Sequence, residues 1–287
     1  MRQRNVLSIK RYSRRWIYGL LSILIAFSVI LITPKISYGQ SWLPLLFRGL
    51  QVIQLSTLSD QQEVRFGEQI NQQLQTQQIR VSRNPNLNAY INQIGQRLVR
   101  ASHRSDIPYT FQVVNDKSVN AFATMGGFVY INMGLIQVAE NEAELASVMA
   151  HEIGHIAERH ALTQMRDVAL SQGLMTAAGL NQNAIVQLGV QLAVNLPNSR
   201  EAELEADREG LLTIERAGYA PIAMVSFMKK LSRLGGSAPT LLSTHPATDE
   251  RIVLLLDALD PRLANLGDGL DQQAYQGKIR SLLKYRD

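Results

Sequence analysis

Residues 141–160, NEAELASVMAHEIGHIAERH, decide how this chain is read. Asn141 can cap a helix, with Glu144 at the third helical position. Leu145, Met149, Ile153 and Ile156 then recur at three- and four-residue steps, which predicts an amphipathic helix with one apolar face. His151 and His155 are four residues apart, so both project from one face and can hold a single metal ion. Glu152 lies next to the first histidine and can reach a water on that metal rather than the metal itself. It would take the water's proton as the water attacks a carbonyl. Three fixed positions are a weak signal alone, because an amphipathic helix with two histidines on its polar face produces the same pattern.

A hydrolytic zinc site needs three protein ligands and an open position for water. The chain has no cysteine and five histidines, so a carboxylate is the natural third ligand. Downstream lies SREAELEAD, residues 199–207, acid-rich and built of good helix formers. Glu203 and Asp207 share a helix face, so Glu203 can bind the metal while Asp207 accepts a hydrogen bond from the far nitrogen of a ligating histidine. Taken in isolation, the segment also reads as a solvated acidic face paired with Arg200 and Arg208. His245 stands in STHPATDER, residues 243–251, where Pro246 starts a helix and Asp249 and Glu250 favour its first turns. It is either an exposed helix-start histidine or a group near the zinc that stabilises the oxyanion or occupies the open position. His103 and His160 read as structural or surface residues.

The 287 residues suffice for a substantial core. Seven of the 29 basic residues fall in residues 1–39, which hold no acidic one, so the remainder is close to neutral. That argues against a nucleic-acid partner, whose binder would carry its basic patch on the folded domain. Residues 16–32, WIYGLLSILIAFSVILI, follow the basic run, and Ser37 and Gly39 precede Gln40 as small residues precede a signal-peptidase cut. The leader, 1–39, is thus a signal peptide cleaved before Gln40 or a retained membrane anchor, and both readings export residues 40–287 as one domain. Ser13-Arg14-Arg15 also fits a twin-arginine signal, although adjacent arginines are common in a plain basic leader.

Residues 42–58 are apolar except for Arg48 and suit a core cover or a membrane surface. Ser59 or Asp60 can cap a helix, with Asp60 and Glu63 at capping-box spacing. Leu87, Tyr90, Ile91, Ile94 and Leu98 predict a helix over 86–102, and Tyr109–Val114 and Phe128–Asn132 read as strands. Helical pattern dominates after Asn141, so the fold class is α+β, predominantly helical, with a small sheet. Residues 168–199 carry no charge and read as buried helices with a loop, or as a membrane contact.

Together HEIGH at 151–155, EAELEAD at 201–207 and STHPATDERI at 243–252 resemble the zinc peptidase family of the HtpX heat-shock protease and the CaaX prenyl endopeptidase. The similarity is nearest to its exported bacterial branch, typified by BepA and LoiP. Asn120-Ala121-Phe122-Ala123 with Gly126-Gly127 and Tyr130-Ile131-Asn132 looks like that family's strand bordering the active site, and Glu63–Gly67 like its N-terminal helix. The resemblance implies a zincin-type domain binding one zinc through His151, His155 and Glu203, with Glu152 as general base. It places Asp207 and Arg251 behind the ligands and makes His245 a regulatory fourth ligand. It implies that the strand near 120–132, with Asn120, Ala121, Phe122, Gly126 and Gly127, pairs with an extended polypeptide substrate. Met125 stands where the family often has proline, and no helical-repeat extension of the BepA kind is expected. The expected role is proteolytic quality control of envelope or exported proteins, periplasmic or otherwise outside the cytoplasm. The rivals are a chaperone-like assembly factor that works by binding, and a membrane-scaffold protein whose motif is accidental and binds no metal.

Overall fold

The computed structural model of the protein describes residues 58–171, 182–195, 197–233, 240–246 and 249–284. The leader, 1–39, and the apolar stretch to residue 57 lie outside the described residues. Helix α1 (Asp60–Gln77) opens on a reciprocal capping box in which Ser59 Oγ accepts from the Gln62 amide and the Gln62 side chain accepts from the Ser59 amide. The box therefore uses Gln62, not Glu63. Glu63 is buried, and its carboxylate accepts from Arg104 at 2.8 Å and pairs with Arg159 at 2.9 Å. Arg104 also donates to the Ile156 carbonyl at 2.8 Å, which ties α1 to the end of the histidine-bearing helix.

Helix α2 (Pro85–Val99) starts with Asn84 as cap and Pro85 in its first turn, and it buries the predicted Leu87, Tyr90, Ile91, Ile94 and Leu98. Each such leucine or isoleucine contributes roughly 1.5–3 kcal/mol by leaving water. Three strands follow: β1 (Thr110–Val114), β2 (Ala121–Thr124) and β3 (Phe128–Asn132), in the order β1-β3-β2. β3 pairs in parallel with β1 and antiparallel with β2. Gly126 (φ 76°) and Gly127 (φ 91°) form the β2–β3 turn. A Cβ on Gly126 would lie 2.8 Å from the Glu63 carbonyl oxygen, and one on Gly127 2.0 Å from that of Pro108. These glycines let the hairpin pack on α1 and on the entry to β1.

Short α3 (Met133–Val138) leads to α4 (Glu142–Ala157), capped as predicted by Asn141, whose Oδ1 accepts from the Glu144 amide at 2.9 Å. The return bond differs: the Glu144 carboxylate accepts from the Glu140 amide. All of α4 after Glu142 is buried, so it is the central helix rather than a surface helix with one apolar face. Helices α5 (His160–Ser171), α6 (Gln182–Asn195), α7 (Arg200–Arg216), α8 (Ile222–Arg233), α9 (Thr240–Thr244), α10 (Asp249–Ala258) and α11 (Gln272–Leu282) surround it.

One apolar core joins α2, α4 and α8 to one face of the sheet, and a second joins α1, α5 and α6 to Phe122 and Tyr130. Of the uncharged stretch, residues 168–171 end α5, where Leu170 is half exposed, and α6 packs Ile185, Val186, Leu188, Val190 and Leu192 into the second core. No described helix is long and apolar enough to cross a membrane.

Helices α4 and α7 cross closely because glycines face backbone. A Cβ on Gly154 would stand 2.8 Å from the Ala206 carbonyl oxygen, and one on Gly210 3.0 Å from the His151 amide nitrogen. Gly154→Ala should therefore cost about 1–2 kcal/mol net, the overpacking outweighing the gain in helix propensity. Thermal unfolding checks this, and an unchanged or raised midpoint would mean the crossing is slack.

Candidate metal centre

The helical period places His151, Glu152 and His155 on the stretch of α4 that faces α7. Ser199 caps α7 by accepting from the Ala202 amide, and one turn later the helix carries Glu203 and Asp207 inward. Both are buried, so the acidic segment is not a solvated face; Arg200 pairs instead with Glu250 and Glu201 on the surface. His245, also buried, follows α9, and Arg251 enters from α10.

Four donor atoms converge. His155 Nε2 lies 3.1 Å from His151 Nε2, which lies 3.3 Å from His245 Nδ1. Glu203 Oε1 is 2.9 Å from His245 Nδ1 and 3.4 Å from His155 Nε2, and Glu203 Oε2 is 3.5 Å from His151 Nε2. A cation held tetrahedrally by arms of about 2.0–2.1 Å spaces its ligand atoms about 3.3–3.4 Å apart. His151, His155, Glu203 and His245 thus form a cluster of the size and chemistry that holds a divalent ion. Both oxygens of fully buried Glu152 lack a hydrogen-bond partner, although His245 Nε2 stands 3.5 Å from one of them. An unsatisfied buried carboxylate is costly, and it fits a place where a cation and a reacting water belong.

Arg251 organises the rear of the cluster. Its Nε and Nη2 donate to the two oxygens of Asp207, both at 2.7 Å, while Nη1 donates to the Pro246 carbonyl and lies 2.6 Å from Glu203 Oε2. Asp207 Oδ1 is 3.0 Å from His151 Nδ1, close enough to pair, although the ring N–H is not aimed along that line.

The charge states follow from this packing. Burial works against a charged His151, but Asp207 and Glu203 outweigh it and push the ring up to about 10. Burial carries His155 down to about 3 despite the pull of Glu203. Burial would raise Glu203 and Asp207, yet the imidazoles around the first, and Arg251 and His151 beside the second, hold both below the usual carboxylate range. Glu152 moves the other way: burial raises it, opposed by His245 and His151.

A cleft of about 50 Å³ opens beside Glu152 and His155, bordered by Phe122, Thr124 and Met125 on one side and by Gly189 and Leu192 of α6 on the other. A small apolar hollow of about 40 Å³ also borders His245, lined by Val148, Phe227 and Met228. Among the five residues expected to meet substrate, only Phe122 lines the cleft. Ala121 is wholly buried, Gly126 and Gly127 are spent on the hairpin turn, and Asn120 is not at the cleft wall. The outer edge of β2 pairs with no strand among the described residues.

Sequence reasoning missed His160. It is buried, with its Nδ1 2.9 Å from His155 Nδ1. The signal was its place five residues beyond His155, which a continuous helix would turn away. It also missed Asn198, whose amide nitrogen lies 3.4 Å from His245 Nδ1. His103 is a surface residue as read, bonded to Glu209 at 2.8 Å.

The family model described as Peptidase family M48 matches residues 85–258. The Beta-barrel assembly-enhancing protease of Escherichia coli (strain K12) is 34% identical over 213 residues, 69% of this chain and 44% of the relative. Its namesake in Yersinia pestis is 34% identical over 247 residues, 78% of this chain and 50% of the relative. The Mitochondrial metalloendopeptidase OMA1 of Arabidopsis thaliana is 36% identical over 161 residues, 55% of this chain and 33% of the relative. The chain spans half or less of the length of these relatives.

Proposed function

Because the chain belongs to peptidase family M48, we propose that it is a zinc-dependent endopeptidase with His151, His155 and Glu203 as ligands and Glu152 as general base. The observation that carries this reading is the convergence of Glu203, from a separate helix, on the two histidine nitrogens at 3.4 and 3.5 Å. Zinc, when bound, would polarise the scissile carbonyl and make water nucleophilic near neutral pH. Glu152 takes the proton of the attacking water and delivers it to the leaving amine; its burial and its unpartnered oxygens suit both tasks. Asp207 holds the His151 ring, and Arg251 keeps Asp207 and Glu203 in register. The free edge of β2 offers main-chain groups to an extended polypeptide, and the hollows bordering His245 receive its side chains.

Chelator should abolish cleavage of unfolded casein, and added zinc should restore it. Cleavage indifferent to chelator would overturn the proposal. From the names of the relatives we take the setting to be quality control or assembly of envelope proteins, with residues 40–287 exported behind the leader. A binding role with little proteolysis is the second reading, favoured by one observation: His245 stands among the donors. Four protein ligands close a zinc site, whereas a hydrolytic one keeps a position open. We therefore take His245 as a gate rather than an oxyanion stabiliser. His245→Ala should keep zinc and raise casein cleavage severalfold. A fall in rate at full zinc content would restore the oxyanion role.

A further inference from the structure

His155 lies near the end of α4 and His160 opens α5. In a continuous helix, residues five apart point about 140° away from each other. Here the chain turns at Arg159, whose φ of 57° is left-handed, and the turn brings the two rings together with centroids 5.0 Å apart. His160 Nδ1 faces His155 Nδ1 at 2.9 Å, and His160 Nε2 lies 3.0 Å from Glu205 Oε2. Glu205 sits two residues beyond Glu203 on α7, and its side chain is half exposed.

These contacts admit one proton arrangement once His155 gives its Nε2 lone pair to a metal. The single ring proton of His155 is then on Nδ1, so that atom donates. His160 Nδ1 must accept, which puts its own proton on Nε2, and that atom donates to the acceptor-only carboxylate of Glu205. We propose that His160, backed by Glu205, is the positioning residue for His155: it sets the tautomer and ring orientation that aim Nε2 at the metal. The inference rests on the metallopeptidase reading for the identity of the ion. It gives the two histidine ligands different supports. His151 leans on a buried carboxylate that needs Arg251 beside it, and His155 leans on a neutral ring whose carboxylate stays at the surface. A further buried carboxylate beside Glu152, Glu203 and Asp207 would have needed another buried cation.

The test is zinc affinity, read by competition against a chromogenic chelator with the full chain, alongside unfolding of the zinc-free protein. His160→Leu removes the acceptor and should weaken zinc binding about 10- to 100-fold. His160→Asn places an amide oxygen near the position of Nδ1 and should stay within a few-fold of wild type. Glu205→Gln, at a half-exposed site that leaves the fold intact, should weaken binding severalfold, because its side chain can no longer demand the Nε2 proton. Long-range ¹H–¹⁵N spectra of the zinc-loaded protein should show His160 neutral and protonated on Nε2; the chain has only five histidines to assign. Wild-type affinity in His160→Leu, or an equal loss in the leucine and asparagine variants with unchanged zinc-free stability, would overturn the proposal. So would His160 protonated on Nδ1. Should the leucine variant not fold, the asparagine and Glu205→Gln affinities and the tautomer decide. A wild-type chain that binds no zinc would instead sink the metallopeptidase reading itself.

Discussion

Glu152→Gln should leave the protein loaded with zinc and slow its cleavage of unfolded casein by roughly 10²- to 10⁴-fold, the usual weight of a positioned general base. The substitution is nearly isosteric, and no hydrogen bond is lost, because neither Glu152 oxygen has a partner. Glu152 is also outside the donor cluster, so the ligands are untouched. What changes is the capacity to take a proton. The stability effect has a definite sign. The folded-state pKa of Glu152 is raised by burial, so ionising it works against folding at any pH above its ordinary carboxylate value. Glutamine mimics the protonated form, and the zinc-free variant should unfold at neutral pH no more easily than wild type. Zinc content by elemental analysis, the casein rate and the zinc-free unfolding midpoint together make the test. Wild-type turnover in a zinc-loaded Glu152→Gln protein would remove Glu152 as the base.

Glu203→Ala should lose the metal on dialysis and, with it, all cleavage. Without Glu203 the ion would face three imidazoles, His151, His155 and the gating His245, and no anionic donor; the carboxylate is the ligand that neutralises its charge in a buried site, so the remaining set should hold it far more weakly. The same change leaves Arg251 Nη1 without the oxygen now 2.6 Å away. Breaking a buried ion pair from one side costs about 3–5 kcal/mol, and the loss here should fall at or below the lower end because Asp207 still holds two nitrogens of the Arg251 fork. Elemental analysis and thermal unfolding in chelator separate the two effects. A Glu203→Ala protein that kept one tightly bound zinc would dismantle the proposed centre.

The errors of the sequence reading share a physical origin. Glu63 has capping-box spacing from Asp60, but Gln62 closes the box and Arg104, 41 residues away, makes Glu63 a buried anchor. Gly126 and Gly127, expected with the strand near 120–132 to meet substrate, sit in the β2–β3 turn, where α1 and Pro108 crowd them from outside the hairpin. His160 lies off the helical register of His155 and reaches it only through a left-handed turn at a non-glycine residue, which propensity disfavours. In each case the deciding neighbour is remote in sequence or the backbone departs from its common state.

What the chain declares by itself is local and periodic. The spacing of His151, Glu152 and His155, the caps at Ser59 and Asn141, and the apolar register of α2 follow from the 3.6-residue turn and from where a helix leaves amides unpaired. Tertiary structure alone decides which far-off side chains meet them. Glycines at 154 and 210 let α4 and α7 approach until Glu203 reaches two histidines, and Arg251 draws the His245 turn against them. Periodicity is a property of the backbone and can be read along one segment. Convergence depends on how closely two segments pack, which no single segment encodes.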